Sequence, residues 1–472
     1  MPVDSTHPDY DAAAPKWRRM RDVIAGQDAV HAAGVLYLPK LKDQTDDDYK
    51  AYKTRTPWFG ATSRTIDALH GLQFRKAPAI EAPAGLAAAL DDVTLAGQSA
   101  VEFVAGLARE TLEVGRVGAL VDFPAVAGVQ LTRGAAEAGG IRPFATLYKA
   151  ETIRNWRVQR VANRMTLTFV VLSESYTAES DGYADKDGEQ LRVLKLDGGI
   201  YVQEIWRKNE RNDWALVDTI TPTVNGRALA FIPFVIVGPE HVGAEVSDPP
   251  LIDMADLNLS HYRTMADLEH GAHYTGLPML MLAGVEAEGP IYLGSQRAVV
   301  ATNPDAKGWF IEFAGQGLGA LEKLIERKEA QMAALGASML AAPKRGVEAA
   351  QTHEMRTAQE TSALADIAAT VGKACTQVLR WIADWSQVGG EVRCTVSTDY
   401  VVTRMTAQEL TALMGLWQSG AISRSTLFWN LQQGELIQQG KTLEDEQGEI
   451  EAEGPALGMA GNEGSGADSG GA

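Results

Sequence analysis

The sequence lacks any run of about 18 apolar residues, the length a helix needs to cross a bilayer, and its longest candidate, residues 277–285, is interrupted by Pro278. No membrane partner is expected. The N-terminal segment MPVDSTHPDYDAAAPKWRRM places acids ahead of its basic cluster and has no apolar centre, so it does not read as a signal peptide and synthesis and assembly in the cytoplasm are expected. Cysteine is almost missing: Cys375 and Cys394 are the whole complement, one in a helical pattern and one in a strand-like run, as expected of buried cytosolic thiols without a disulfide.

Catalytic motifs are missing too. There is no GxxxxGK[ST] phosphate loop, GxSxG elbow, CxxC or HExxH, each of which places particular donors or nucleophiles at fixed offsets. GQGLG at residues 315–319 resembles a phosphate-cradling turn but lacks the GxGxxG spacing and a following acid, and reads as a helix-entry loop. His261, His270 and His273 fall on one predicted helix without the i, i+4 spacing of paired helical zinc ligands. Asp253 and Asp256 have the chemistry to hold Mg²⁺ or to act as acid and base, yet a solvent-facing acidic stripe is the commoner arrangement. No catalytic residue, metal or cofactor is assigned, and the chain is not read as an enzyme.

Positive charge is also short, with 43 Lys and Arg against 61 Asp and Glu and a formal net charge of -18. Gripping nucleic acid over a whole surface relies on cations that neutralise phosphates, so that mode is disfavoured. A wall past which DNA must slide has the opposite requirement, although acidity is common and decides nothing alone.

What is present is a chain of 472 residues, 45% hydrophobic, long enough for two or three domains. Residues 15–90 read as helical and polar, and the cluster Lys16, Arg18, Arg19 and Arg21 reads as a solvated helix face rather than a nucleic-acid contact. From GRVGALVDFP (115–124) strands follow at 164–173, 191–196, 201–207, 214–219 and 231–237, separated by turn-rich pieces such as SDGYADKDGE, which predicts a mostly antiparallel sheet. After Pro249 and Pro250 a helix opens with Met254, Leu257, Met265 and Leu268 on one face and Asp253, Asp256 and Asp267 on an adjacent one.

A small strand-and-loop module follows. Leu318, Leu321, Ile325, Met332 and Leu335 then mark a second amphipathic helix with Glu322, Lys323, Glu326, Arg327, Lys328 and Glu329 outside. The pattern breaks over 336–353 and returns as one helix of roughly thirty residues through Leu364, Ile367, Val371, Ala374, Val378, Ile382 and Trp385. EVRCTVSTDYVV is strand-like. Thr406 and Glu409 form a capping box for the next helix, which Gly420 stops before another over 423–436. From Lys441 onward a Gly-, Glu- and Ala-rich tail is expected to be disordered. The fold class is α+β. Two helices bracketing a miniature module would need partners for their apolar faces, and packing beside identical copies in a closed ring would supply them.

PPLIDMADLNLSHYRTMADLEHGAHYTGLPML (249–280) followed by FIEFAGQGLGALEKLIERKEAQMAALGASML (310–340) resembles the stem, clip and second stem helix of the portal proteins of tailed double-stranded DNA phages. GRVGALVDFP and YKAETIRNWRV (148–158) resemble that family's wing, and LMGLWQSGAISRSTLFWNLQQGEL its C-terminal helical crown. The resembling segments are spread over residues 37–436.

The resemblance implies an N-terminal region and α/β wing over 1–250, a first stem helix over 251–276, a clip over 277–316 and a second stem helix over 317–336. A tunnel loop over 337–353 would precede a long helix and returning wing strand over 354–405, a crown over 406–440 and the acidic tail over 441–472. It further implies a virion component at one capsid vertex: a homo-oligomeric ring of twelve subunits through which the genome is packaged and ejected. The partners would be the terminase large subunit, a head-tail adaptor, and the major capsid and scaffold proteins.

In that arrangement Lys344 and Arg345 of the tunnel loop would touch DNA phosphates without reading sequence, and Asp253, Asp256 and Asp267 would line the channel and keep DNA from adhering. The alternatives are another head-tail component, such as an adaptor or minor head protein, or a capsid-associated nuclease or peptidase. Adaptors are shorter and lack the bracketed module, and the enzymes would need the clustered ligands or nucleophile that the sequence does not offer.

Overall fold

The computed structural model describes residues 2–124, 141–224, 226–275, 279–284, 303, 305–311, 316–340, 362–398, 400, 407–433, 436–437 and 441–453. The architecture is α+β, in two compact units, Met1–Thr398 and Asp399–Ala472.

The first unit opens with helices. α1 (Pro8–Ala25) starts earlier than the polar pattern suggested, because His7 caps it: Asp9 N donates to His7 Nδ1 at 3.1 Å, and Pro15 sits inside the helix. α2 (Gln27–Ala33), α3 (Asp46–Arg55) and α4 (Ala61–Gln73) follow, then strand β1 (Ala79–Glu81), α5 (Ala87–Asp91) and α6 (Ala100–Val114). A reciprocal cap between Ser99 and Glu102 opens α6, and Phe103, Val104, Leu107 and Leu112 bury one face of it. Gly115 closes it at φ 73°, where an added Cβ would also lie 2.8 Å from the Asp248 carbonyl oxygen. Only glycine meets both demands there.

Strands come next: β2 (Val117–Asp122), β3 (Phe144–Lys149), β4 (Ile153–Val161), β5 (Arg164–Ser180), β6 (Asp185–Asp197), β7 (Ile200–Lys208), β8 (Trp214–Ile220), the short β9 (Thr223–Val224) and β10 (Arg227–Ala228), and β11 (Phe234–Val237). They form a three-stranded sheet in the order β11-β2-β3 and a five-stranded meander β4-β5-β6-β7-β8, and every pairing in both is antiparallel. Leu120, Ile153, Val170, Leu194 and Tyr201 belong to one buried cluster that joins the two sheets. Gly118 lies beneath Phe234, whose Cζ would be 2.3 Å from an added Cβ.

The structure corrects the strand reading in two ways. β3 and β4 were not among the expected strands, and most of the piece read as a turn after Ser173 is strand. The chain turns only at Asp181–Ala184, where Asp181 Oδ1 accepts from Tyr183 N at 2.9 Å and Ala184 N at 2.7 Å. Polar strands exposed on both faces carry no alternating signal. What holds them is lateral: Tyr176 sits opposite Gly188, whose added Cβ would lie 2.7 Å from the Tyr176 ring, and the Arg207 guanidinium stacks 4.0 Å from the same ring.

α7 (Ile252–Thr275) leads to a hairpin of β12 (Met279–Ala283) with β13 (Lys307–Ile311), then α8 (Gln316–Ser338) and α9 (Ala363–Ser386). α8 starts at Gln316, so Gly317 and Gly319 of the GQGLG segment belong to its first turn. α9 has 24 residues rather than roughly thirty, begins at the Ser362 cap and buries Leu364, Ile367, Val371, Ala374, Val378 and Ile382. β14 (Arg393–Thr395) pairs with β1. Thr376 Oγ1 accepts from Cys394 N at 2.9 Å, and Cys375 and Cys394 are buried free thiols.

The second unit holds α10 (Ala407–Gln418), α11 (Arg424–Gln433) and α12 (Leu443–Glu453). Gly420 follows α10 at φ 74°. Thr406 of the expected capping box lies outside the described residues. The stretch expected to be disordered from 441 opens instead with a helix. Its start is defined by Thr442, whose Oγ1 accepts from Asp445 N at 3.1 Å while Asp445 Oδ2 accepts from Thr442 N at 3.0 Å, and by Lys441, which pairs with Glu446 and Glu449. Local capping and ion pairs order this segment without apolar burial.

Candidate functional site

α7 and α8 run antiparallel, and glycines set how closely they approach. An added Cβ at Gly271 would lie 2.7 Å from Leu318 Cδ2, and one at Gly336 would meet Thr65 of α4 at 3.1 Å and Met254 at 3.4 Å. Between these ends Lys328 donates to the Ser260 carbonyl oxygen at 2.9 Å and to Thr264 Oγ1 at 2.5 Å. His261 Nε2 lies 3.3 Å from Glu329 Oε1. Burial pushes the imidazole below its usual range, with Glu329 pulling the other way, and burial likewise lowers the Lys328 ammonium.

The other flank of α7 is covered by the N-terminal helices. Asn258 Oδ1 accepts from Thr62 N at 3.2 Å and from Thr62 Oγ1 at 3.0 Å, while its amide donates to the Phe59 carbonyl oxygen at 2.8 Å. Arg263 Nε donates to the Tyr37 carbonyl oxygen at 2.9 Å. Met254, Ala255, Leu259, Tyr262 and Ala266 are all buried. This corrects the idea that α7 needs neighbouring copies to cover its apolar side. The predicted stripe of Met254, Leu257, Met265 and Leu268 is likewise only partly the buried one, for Leu257, Met265 and Leu268 stay half-exposed while Asn258, His261 and Thr264 are buried. Their spacing of three residues on a helix was a signal available in the sequence.

The acidic stripe divides. Asp256 Oδ1 is paired with Arg19 Nη1 at 2.6 Å, and Asp267 Oδ1 accepts from the Tyr52 hydroxyl at 2.9 Å. Burial, and then that bond, raise the Tyr52 phenol above its usual range. Asp253 is exposed and borders an open groove of about 470 Å³ together with Leu257, Gln331, Ala334 and Leu335. Lys344 and Arg345 lie outside the described residues.

Most of the basic cluster of α1 ties the helix to other segments, while Arg18 stays on a solvated face at 67% exposure. Lys16 pairs with Asp248 at 2.5 Å, Arg18 with Asp22 at 3.6 Å, and Arg19 with Asp256. Arg21 reaches Glu110 at 2.5 Å, Glu151 at 2.8 Å and Glu113. Apart from the i,i+4 pair of Arg18 and Asp22, sequence spacing gave no sign of these partners, which lie up to 237 residues away.

Uncovered apolar side chains sit elsewhere. Met281 and Trp309 are 39% and 46% exposed on the β12–β13 hairpin, and Leu416, Trp417 and Trp429 are 49%, 38% and 58% exposed in the second unit. Among the described residues no group of three or more His, Cys, Asp or Glu is placed to hold a metal ion, and no described helix is long and apolar enough to cross a membrane.

Residues 250–386 match a family described only as a domain of unknown function, DUF4055. The matched span opens two residues before α7 and closes at the last residue of α9. No curated protein matches. Among solved structures, one similar chain comes from the virion of a native gene transfer agent particle, at 12% identity over 85% of this chain and 97% of that one, with a TM-score of 0.37. Another comes from the neck of an empty particle of that kind computed with C6 symmetry, at 11% identity over 77% and 87%, TM-score 0.37. A third comes from the neck of a native particle computed with C12 symmetry, at 11% over 79% and 89%, TM-score 0.35. At such identities and scores the likeness assigns no function to this chain.

Proposed function

We propose that this chain is the portal subunit of a tailed-phage-like particle, a non-enzymatic protein that closes into a ring at one capsid vertex and lines the passage for double-stranded DNA. The observation that carries the reading is the order helix, miniature hairpin, antiparallel helix: α7, β12–β13 and α8, the segment whose sequence resembles the portal stem and clip. In this reading the hairpin, with Met281 and Trp309 uncovered, is the docking point for the terminase large subunit during packaging and for a head-tail adaptor afterwards. The exposed Leu416, Trp417 and Trp429 of the second unit pack against neighbouring copies, since uncovered groups of this size mark interaction surfaces.

DNA passes without sequence readout. Lys344 and Arg345 touch phosphate, and the stripe of Asp253, Asp256 and Asp267 faces the channel. Arg19 offsets part of that stripe in each subunit, which leaves Asp253 and Asp267, the latter bonded only to the neutral Tyr52 hydroxyl, as its main repulsive charges. Capsid and scaffold proteins surround the ring, whose number we propose is twelve.

Mass photometry of the purified full-length protein tests the proposal. Rings on the order of ten or more subunits are expected, and a species that stays monomeric across micromolar concentrations would overturn it. A set of small oligomers would favour an adaptor or minor head protein instead.

A further inference from the structure

β5 is the spine of the five-stranded sheet, and its two ends differ in charge. Its middle, Phe169–Leu172, is flanked by both β4 and β6, but Arg164–Leu167 pairs only with β4 and Glu174–Ser180 only with β6. Each end therefore projects as a two-stranded hairpin. The projecting β4–β5 hairpin carries Arg160 and Arg164, both exposed, with Arg157 at its base opposite Phe169, and residues 152–173 contain no acidic residue. Asp197, at the same end of the sheet on β6, is held by Lys195 at 3.8 Å. The β5–β6 hairpin carries Glu179, Asp181, Asp185 and Asp187 against Lys186, again all exposed.

Each tip also presents apolar surface. Val161 and Met165 are 43% and 71% exposed at the basic tip, and Tyr183 stands fully exposed at the acidic one, at 101%. Arg157 lies 5.4 Å over the Phe169 ring and Arg160 is held by Asn163, while Tyr176 braces the other hairpin between Gly188 and Arg207.

We infer that these two hairpin tips are complementary docking surfaces that join one copy of this chain to the next, the acidic β5–β6 tip of one against the basic β4–β5 tip of its neighbour. Within one chain they point away from each other, separated by a 17-residue strand of roughly 50 Å. The partner that satisfies both is a second copy, because opposite charge and an apolar centre stand on two different surfaces of the same molecule. A contact between unlike surfaces is heterologous and closes into a ring when the rotation per step allows it. The inference rests on the ring reading and names the surface through which the sheets would meet. At physiological ionic strength charges are screened beyond about 8 Å, so the arginines and carboxylates set register and encounter, and Tyr183 against Met165 and Val161 supplies the dry contact.

Full-length protein provides the test. Two variants reverse one tip each, Glu179→Lys/Asp185→Lys/Asp187→Lys and Arg160→Glu/Arg164→Glu, and a third combines them. Mass photometry is expected to show at least a tenfold loss of ring species for each single-tip variant and recovery in the combined one. A separate Tyr183→Cys/Met165→Cys variant, treated with a diazene oxidant that takes up the two thiol hydrogens as the disulfide forms, should give a ladder of covalently linked copies on denaturing gels. Rings that persist in all charge variants with no ladder overturn the tip contact while leaving the ring reading intact. Wild-type protein that forms no ring at all removes the ring reading itself, and a ladder obtained from such protein would support the tip contact alone.

Discussion

Arg19 of α1 and Asp256 of α7 meet at 2.6 Å across 237 residues of sequence, so the carboxylate that the helical pattern sets on an open acidic stripe is partly neutralised from within the chain. Both side chains remain about a third to a half exposed, at 34% and 49%. A double-mutant cycle with Arg19→Ala and Asp256→Ala is expected to give a coupling of about 0.5 kcal/mol, the scale of exposed pairs. A coupling indistinguishable from zero would show that the pair does not hold in solution.

Under the proposed channel role, the same pairing grades the three carboxylates of the stripe. Asp253→Lys should slow packaging more than Asp256→Lys, because Asp256 is already partly offset by Arg19, and the triple change with Asp267→Lys should slow it most. Packaging rates in a reconstituted motor assay check this; a triple variant that packages at the wild-type rate removes the channel role of the stripe.

Arg21 is a hub whose loss should be costly. Glu110 and Glu113 are each 11% exposed around it, and breaking a buried network by removing one partner costs about 3 kcal/mol or more. Arg21→Met should therefore lower the denaturant midpoint clearly, although Arg109 still holds Glu113 at 2.6 Å. Burial raises Glu151, but the Arg21 bond and charge outweigh it and hold the carboxyl below its usual range. Its stabilising contribution is present above the ordinary carboxylate pKa and disappears as pH falls through the folded value, so acid denaturation should be less steep in the variant.

His261 gives a pH dependence of the α7–α8 contact. Its folded-state pKa is lowered, so the unfolded chain takes up the proton first, and stability should fall as pH drops below about 6.5, the unperturbed imidazole value. His70 and His270 shift the same way and remain in a His261→Leu variant. The difference between the two melting-temperature curves from pH 7 to 5 therefore reports His261, and parallel curves would count against the assignment.

Two backbone positions should respond in opposite directions. Gly118→Ala places a methyl 2.3 Å from Phe234 Cζ and is expected to cost about 1–3 kcal/mol through overpacking. Ala162, at φ 44° in the β4–β5 turn, pays the left-handed penalty of a residue with a Cβ, and Ala162→Gly should stabilise by up to about 1 kcal/mol. Chemical denaturation reads both, and an Ala162→Gly variant less stable than wild type would contradict the turn conformation.

The α9 helix was legible residue by residue because one continuous face is apolar and buried throughout, so periodicity and packing report the same thing. α7 was legible as a helix but not in its orientation. It packs against two different layers, and Asn258, His261 and Thr264 enter the interior through specific hydrogen bonds that hydropathy does not register. For the β5–β6 arm the turn residues were visible, but the length was not, since its strands are stabilised laterally by Tyr176, Gly188 and Arg207 and bury little. The capping chemistry at Thr442 was readable in principle, yet a low apolar content outweighed it.

The order of segments, the antiparallel strands and the existence of the paired helices were determined by the sequence itself, because period, turn chemistry and caps act over a few residues. Which groups meet was decided only by tertiary structure. Arg19 finding Asp256, Arg21 gathering three glutamates, and a basic and an acidic tip parted by one long strand all depend on how distant segments stack, and local pattern holds no record of distances across the fold.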